Sequence, residues 1–269
     1  MYTPFKVTNQ LEISEQQKHI FDELAHDLRL IKQACPFLDD IIVRSGFILD
    51  TLLGAQPFDV DAYYTTIEQV NTLFSKCRCD EIRETIKNLD FKVLDKKYPL
   101  DLGHSGEGEI YLPPIEKNLS FHSHLFDIAD MVCLNDHGDL WANEESITAI
   151  KNRTHEIRYD GWLLHPYFIR VFPHVDYYYF VTANCLRGLK MIHTKKYTNV
   201  GPNYRLLLEN VKPIIDYVAS VPDYVQKLKK YHEKKCRNMS REDLKNALAI
   251  TAANNQSYLL EKFTEIIFN

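Results

Sequence analysis

Apolar and polar positions along the first half of this chain change period several times. Ile20, Phe21, Leu24, Leu28, Leu30 and Ile31 recur at roughly helical spacing, and Ser14-Glu-Gln-Gln17 ahead of them has the form of a capping box. The pattern predicts a first helix from about 14 to 35, ended by Pro36. Ile41-Ile42-Val43 reads as a buried strand, Phe47, Ile48, Leu52 and Leu53 as a short helix, and Phe58-Asp-Val-Asp-Ala-Tyr-Tyr64 as a second strand. Thr65 with Glu68 makes another capping box, opening a helix through Phe74. Further strands are predicted at Phe91-Lys-Val-Leu94, at Gly108-Glu-Ile-Tyr-Leu112 and from Leu125 to Leu134, the last closed by the turn Asn135-Asp-His-Gly138.

Beyond Asn143, strand signals nearly vanish. Asn143 can cap a helix through Asn152, and Leu186, Leu189 and Ile192 recur with helical spacing. Pro202, Pro213 and Pro222 punctuate successive helices, and Ser240-Arg-Glu-Asp243 opens a final pair ending near Ile267. The chain therefore divides into a mixed part, residues 1–142, and a helical part, residues 143–269. The expected class is α+β, a mixed-sheet head followed by an all-helical domain.

Composition narrows this picture. With 269 residues, 45% of them hydrophobic and 26% charged, the chain has material for one large core or two smaller ones. No stretch approaches the ~18 consecutive apolar residues of a membrane span, and the N-terminus lacks a basic-then-apolar signal pattern. Six cysteines (Cys35, Cys77, Cys79, Cys133, Cys185, Cys236) show no framework or zinc spacing and read as reduced thiols. A soluble, cytoplasmic protein is expected. The net charge of −5 argues against a general nucleic-acid coat, so any RNA contact must come from a local patch.

The segment from Ser45 to Asp61 carries the chemistry. Asp59 and Asp61 are one residue apart, a spacing that on a strand sends both carboxylates to one face. Two such carboxylates suit a hard, oxygen-ligated divalent cation, with Mg²⁺ the natural occupant. Ser45-Gly46 stands at a strand-to-helix turn, where small residues let phosphate oxygens approach backbone N–H groups at a helix N-terminus. Phosphate and metal would meet there.

The same segment resembles the signature of template-independent nucleotidyltransferases of the DNA polymerase β superfamily, most closely the tRNA CCA-adding enzymes and bacterial poly(A) polymerases. Their pattern runs G-G-x-x-R-D-x-L-L-G, then a short gap, then D-x-D. Here Ser45-Gly46 stands for the Gly pair, Leu49-Asp50 for Arg-Asp, Leu52-Leu53-Gly54 for Leu-Leu-Gly and Asp59-Val60-Asp61 for the metal pair. The family's Arg has become Leu49, which removes a cation from the nucleotide site. The acid and Arg of the neck motif that templates the base are missing near Leu164-His165-Pro166-Tyr167-Phe168, and the Arg pair before the third strand is missing at Ser123-His124-Leu125. Templated base selection of the CCA type is thus unsupported.

The resemblance implies an Mg²⁺-dependent enzyme that transfers a nucleotide from an NTP to an acceptor. RNA, specifically a tRNA 3′ end, is favoured; a protein acceptor, as in nucleotidylating toxins or effectors, and a catalytically silent RNA- or protein-binding relative are the alternatives. Asp127, between Phe126 and Ile128, fits the superfamily's hydrophobic-Asp-hydrophobic third motif and is the first choice for a third metal ligand, ahead of Glu109 and Asp130. Ser45 and Gly46 would engage phosphate. Asp50 is read as mainly structural, satisfying backbone donors or cations near Gly46, and Arg187 and Lys190, one helical turn apart, are positioned to face the triphosphate. Tyr177-Tyr-Tyr-Phe180 is read as core of the helical part, with base stacking as the alternative. His122, His124 and His165 fit no metal spacing and are read as packed or surface residues. Lys227, Lys229, Lys230, Lys234, Lys235, Arg237 and Arg241 give a local excess of positive charge offset only by Glu233, suited to a phosphate backbone or else to a solvated helix face.

Overall fold

The computed structural model describes residues 5–6, 10–44, 46–66, 79–104, 127–157, 176–236 and 239–269. The chain divides into two compact units, with segments Met1–Ser123 and Ala129–Lys151 in one and His124–Ile128 and Asn152–Asn269 in the other. Ser45, Glu109, Arg237, the expected strand at 108–112, all but the start of the expected helix after Thr65, and His122, His124 and His165 lie outside the described residues.

Among its described residues the first unit is built on a six-stranded mixed sheet with the order β1-β6-β5-β2-β3-β4. Its elements are β1 (Phe5–Lys6), α1 (Glu15–Ala34), β2 (Leu38–Arg44), α2 (Gly46–Leu53), β3 (Val60–Thr66), α3 (Cys79–Ile86), β4 (Leu100–His104), β5 (Val132–Asn135), β6 (Leu140–Ala142) and α4 (Glu144–Lys151). The Ser14 capping box closes reciprocally: Ser14 N–H donates to Gln17 Oε1 at 2.8 Å and Gln17 N–H to Ser14 Oγ at 3.3 Å. Gln17 Nε2 also donates to the carbonyls of Thr51 and Leu52, so one residue starts α1 and ties it to the end of α2. Phe21, Leu24, Leu28 and Ile31 bury the apolar stripe of α1.

β2 pairs antiparallel with both β3 and β5, while β3 and β4 run parallel. Several expectations change here. β3 continues to Thr66, overriding the capping box at Thr65, because Thr65 and Thr66 pair with Asp40 and Leu38 across a register shift and β-branched residues suit a ladder. Residues 91–94 form no strand. Instead Asp27, fully buried on α1, accepts from the N–H groups of Lys92, Val93 and Leu94 at 2.7–3.1 Å. Such a concave set of backbone donors is a natural carboxylate seat. The tight turn that follows places Asp95 at φ 51°, and Asp95 Oδ1 accepts from Leu100 N–H at 2.9 Å, launching the unanticipated β4. The predicted strand from Leu125 becomes Asp127, a single 3₁₀ turn at Ile128–Asp130 and only then β5.

Asp27 therefore fixes the approach to β4. Asp27→Ala strands buried donors and should lower stability by about 2 kcal/mol, read as a reduced denaturant midpoint at unchanged slope.

Among its described residues the second unit is helical except for a short parallel pair, β7 (Thr154–His155) with β8 (Asn199–Val200). Its helices are α5 (Tyr177–Thr194), α6 (Pro202–Asn210), α7 (Lys212–Ser220), α8 (Pro222–Lys235), α9 (Arg241–Thr251) and α10 (Gln256–Phe268). Prolines sit in the first turns of α6, α7 and α8, where a missing N–H costs nothing. Gly188 lets α5 approach α6, since a Cβ there would lie 2.4 Å from the buried Tyr204 ring, whose hydroxyl donates to the Cys185 carbonyl at 2.6 Å. Cys35, Cys133, Cys185 and Cys236 are buried free thiols, and burial pushes Cys185 up to about 12 and Cys236 to about 11. No helix among the described residues is long and apolar enough to cross a membrane.

Candidate functional site

Alternation along β3 separates two faces. Val60, Ala62 and Tyr64 are buried, whereas Asp61 and Tyr63 on the opposite face are only partly covered. Carrying the alternation back one step puts Asp59, also partly covered, on the Asp61 face. The parallel register continues this face onto the edge strand. Asp61 pairs with Asp101 of β4, while the flanking Leu100 and Leu102 turn inward with Val60 and Ala62. Asp101 is 72% exposed, with Arg83 Nη2 3.7 Å from one carboxylate oxygen, a contact too solvated to hold it strongly.

Asp101 is a residue that the sequence reading missed. Leu100-Asp-Leu102 has the same hydrophobic-Asp-hydrophobic form that drew attention to Asp127, but its alternation spans too few residues to announce a strand. Asp61 and Asp101 on adjacent strands, with Asp59 just ahead of β3, supply hard oxygen donors of the kind Mg²⁺ takes. Among the described residues no three His, Cys, Asp or Glu side chains, Asp59, Asp61 and Asp101 included, are close enough together to hold a metal ion by themselves. Mg²⁺ asks for less, because it retains waters and takes substrate phosphate oxygens beside one or two carboxylates.

Arg44, the last residue of β2, follows the position that pairs with Ala62 and so lies beside Asp61. Its guanidinium stacks 3.6 Å from the Tyr63 ring centroid and donates to the Tyr63 hydroxyl. Burial pushes Arg44 below its ordinary range, and Tyr63, Asp61 and Asp130 offset part of that fall by favouring its charge. Asp130, one alternative third ligand, is thus a charge neighbour of Arg44.

Gly46 opens α2, and among the described residues a Cβ built on it would meet nothing within 4 Å, which leaves room for an approaching group. No acidic side chain occupies the first turn of α2 to repel an anion. Asp50 is partly covered, and its carbonyl accepts from Ala55 N–H at 2.8 Å at the helix end. Leu49, where the related signature has Arg, is completely buried.

Asp127, expected as the third metal ligand, has other partners. It is buried in the second unit, where Tyr197 Oη donates to Asp127 Oδ2 at 2.6 Å and His155 Nδ1 lies 3.3 Å from the same oxygen, outside hydrogen-bonding geometry. Burial alone would raise its pKa, yet His155, Tyr197 and Lys195 hold it below the usual carboxylate range. An enclosed carboxylate that accepts from a tyrosine hydroxyl and faces a histidine suits a structural role better than an open Mg²⁺ site.

Arg187 and Lys190 share one face of α5 and are partly covered, both lying in the electrostatic surroundings of Cys236, with Arg187 also beside Tyr231. In the basic run, Lys227, Lys230, Lys234, Lys235 and Arg241 are exposed and Lys229 partly so. Tyr177–Phe180 does not build core: all four side chains retain solvent contact at the start of α5.

No family model and no curated protein matches this sequence. Solved structures do match its fold. A CCA-adding enzyme in complex with ATP aligns at TM-score 0.52 and 15% identity, covering 92% of this chain and 56% of its own. A tRNA nucleotidyltransferase complexed with a primer tRNA and an incoming ATP analogue aligns at 0.55 and 14%, covering 90% and 62%. A tRNA-processing enzyme complex gives 0.54 and 14%, covering 89% and 57%. The chain spans less than two thirds of the length of these enzymes. At such identity the likeness is one of fold alone: this α+β chain has a fold similar to that of a CCA-adding enzyme and of a tRNA nucleotidyltransferase.

Proposed function

We propose that the chain is a Mg²⁺-dependent nucleotidyltransferase that moves a nucleotide from an NTP to the terminal hydroxyl of an RNA, with a tRNA 3′ end as the favoured acceptor. The observation that carries this reading is the in-register pairing of Asp61 with Asp101, which extends the Asp59-Asp61 face across a parallel ladder. In the reaction an acceptor hydroxyl attacks the α-phosphorus, the bond to the bridging oxygen breaks and pyrophosphate leaves. Bound Mg²⁺ would offset charge developing on the phosphoryl oxygens. Asp59, Asp61 and Asp101 would hold that ion, and the open backbone at Gly46, with Ser45 ahead of it, would receive phosphate oxygens.

The apolar burial of Leu49 supports a nucleotide choice unlike that of enzymes with an arginine there. Incubation with each α-labelled NTP, Mg²⁺ and a tRNA pool tests the proposal, with label expected on RNA. Label on polypeptide would favour a protein acceptor, and NTP binding with no label a silent relative. Asp101→Asn should lower transfer about 10–100-fold and weaken Mn²⁺ binding in a titration, while a parental rate would remove Asp101 from the site.

A further inference from the structure

Three tyrosines from three helices meet on the surface of the second unit. Tyr178 of α5 and Tyr217 of α7 have ring centroids 4.4 Å apart, and Tyr217 and Tyr224 of α8 are 6.1 Å apart. Tyr178 is 37% and Tyr217 46% exposed and Tyr224 is partly covered, so part of this aromatic row faces water. Lys227 Nζ lies 5.4 Å from the Tyr224 centroid, and Lys230 and Lys234 continue from it at i+3 and i+7 on one exposed strip of α8. Glu233 falls roughly a quarter turn off that strip. Asp176, which caps α5, lies 3.7 Å from Lys227 and tempers the charge at the head of the row, leaving Lys230 and Lys234 to carry it.

We propose that Tyr178, Tyr217 and Tyr224, continued by Lys227, Lys230 and Lys234, form a stacking track for single-stranded polynucleotide. Aromatic rings offer faces to unpaired bases of any identity, while a file of ammonium groups follows the phosphates. A duplex keeps its base faces stacked internally and can use only the lysines. The lysine strip is what favours a polyanion over a protein partner. The track deepens the RNA-acceptor reading, but it requires only that RNA binds, not that the aspartates catalyse transfer.

Fluorescence anisotropy of a fluorescein-labelled single-stranded RNA of about 12 nucleotides, without NTP or metal, tests this. The double variant Tyr178→Ala/Tyr217→Ala should bind about ten-fold or more weakly, whereas Tyr217→Phe keeps the parental affinity because it keeps the ring. Lys227→Gln/Lys230→Gln/Lys234→Gln should flatten the log–log salt slope by about 1.4 to 2. A hairpin duplex of equal length should compete poorly. The proposal is overturned if the double alanine variant, folded by its melting curve, binds within about two-fold of the parent. It is equally overturned if the duplex competes as well as the single strand, or if the parent binds no RNA at low salt, which would give the tyrosine row to a protein partner. RNA binding without nucleotide transfer would sink the enzymatic reading alone; transfer to tRNA undiminished in the tyrosine variants would sink the track alone.

Discussion

Asp59→Ala and Asp61→Ala are each expected to lower nucleotide transfer by at least about 10³-fold while leaving the melting temperature close to that of the parent. The size follows from electrostatics: several kcal/mol of charge stabilisation disappears when one carboxylate of a close pair no longer holds the ion. The modest structural effect follows from position, since both side chains are only partly covered on the face opposite Val60, Ala62 and Tyr64. Asp61→Ala also leaves Arg44 without one of the acids beside it, so its stability loss should exceed that of Asp59→Ala. Single-turnover labelling of RNA by both variants, beside thermal melts, checks the assignment. Transfer at the parental rate in both would remove these residues from catalysis.

Asp127→Ala should behave in the opposite way, losing stability rather than chemistry. It removes the acceptor of the Tyr197 hydroxyl and the counter-charge facing His155, both buried, and breaking such a set costs about 3–5 kcal/mol, a large part of a domain's net stability. Its pH dependence has a definite sign. Because the folded-state pKa of Asp127 lies below its ordinary value of 3.8, the contribution is present at neutral pH. It is lost as pH falls below about 4 through the folded-state value. Melting temperatures of the parent and of Asp127→Asn should therefore differ most near neutrality and converge in acid. A variant that melts with the parent at pH 7 but fails in transfer would restore Asp127 to the metal site.

Wherever a single element's own residues suffice, the sequence alone determined the outcome. The Ser14 and Ser240 capping boxes, the buried strand at Ile41–Val43, the helix openings at Pro202 and Pro222 and the Asp59-Val-Asp61 spacing all rest on interactions within a few residues. Helix periodicity and side-chain alternation express those interactions directly. What failed at sequence level depended on partners far along the chain. Thr65 is extended because β2 pairs with it, and residues 92–94 turn because Asp27 reaches them from α1. Asp127 and Asp101 share one local pattern, and only tertiary structure separates them. Parallel pairing with β3 carries Asp101 onto the Asp61 face, whereas the chain after Phe126 turns Asp127 inward to Tyr197 and His155. Strand neighbours and burial are non-local quantities, so a motif of three residues could name the type of acid the site needs but not which acid the fold delivers.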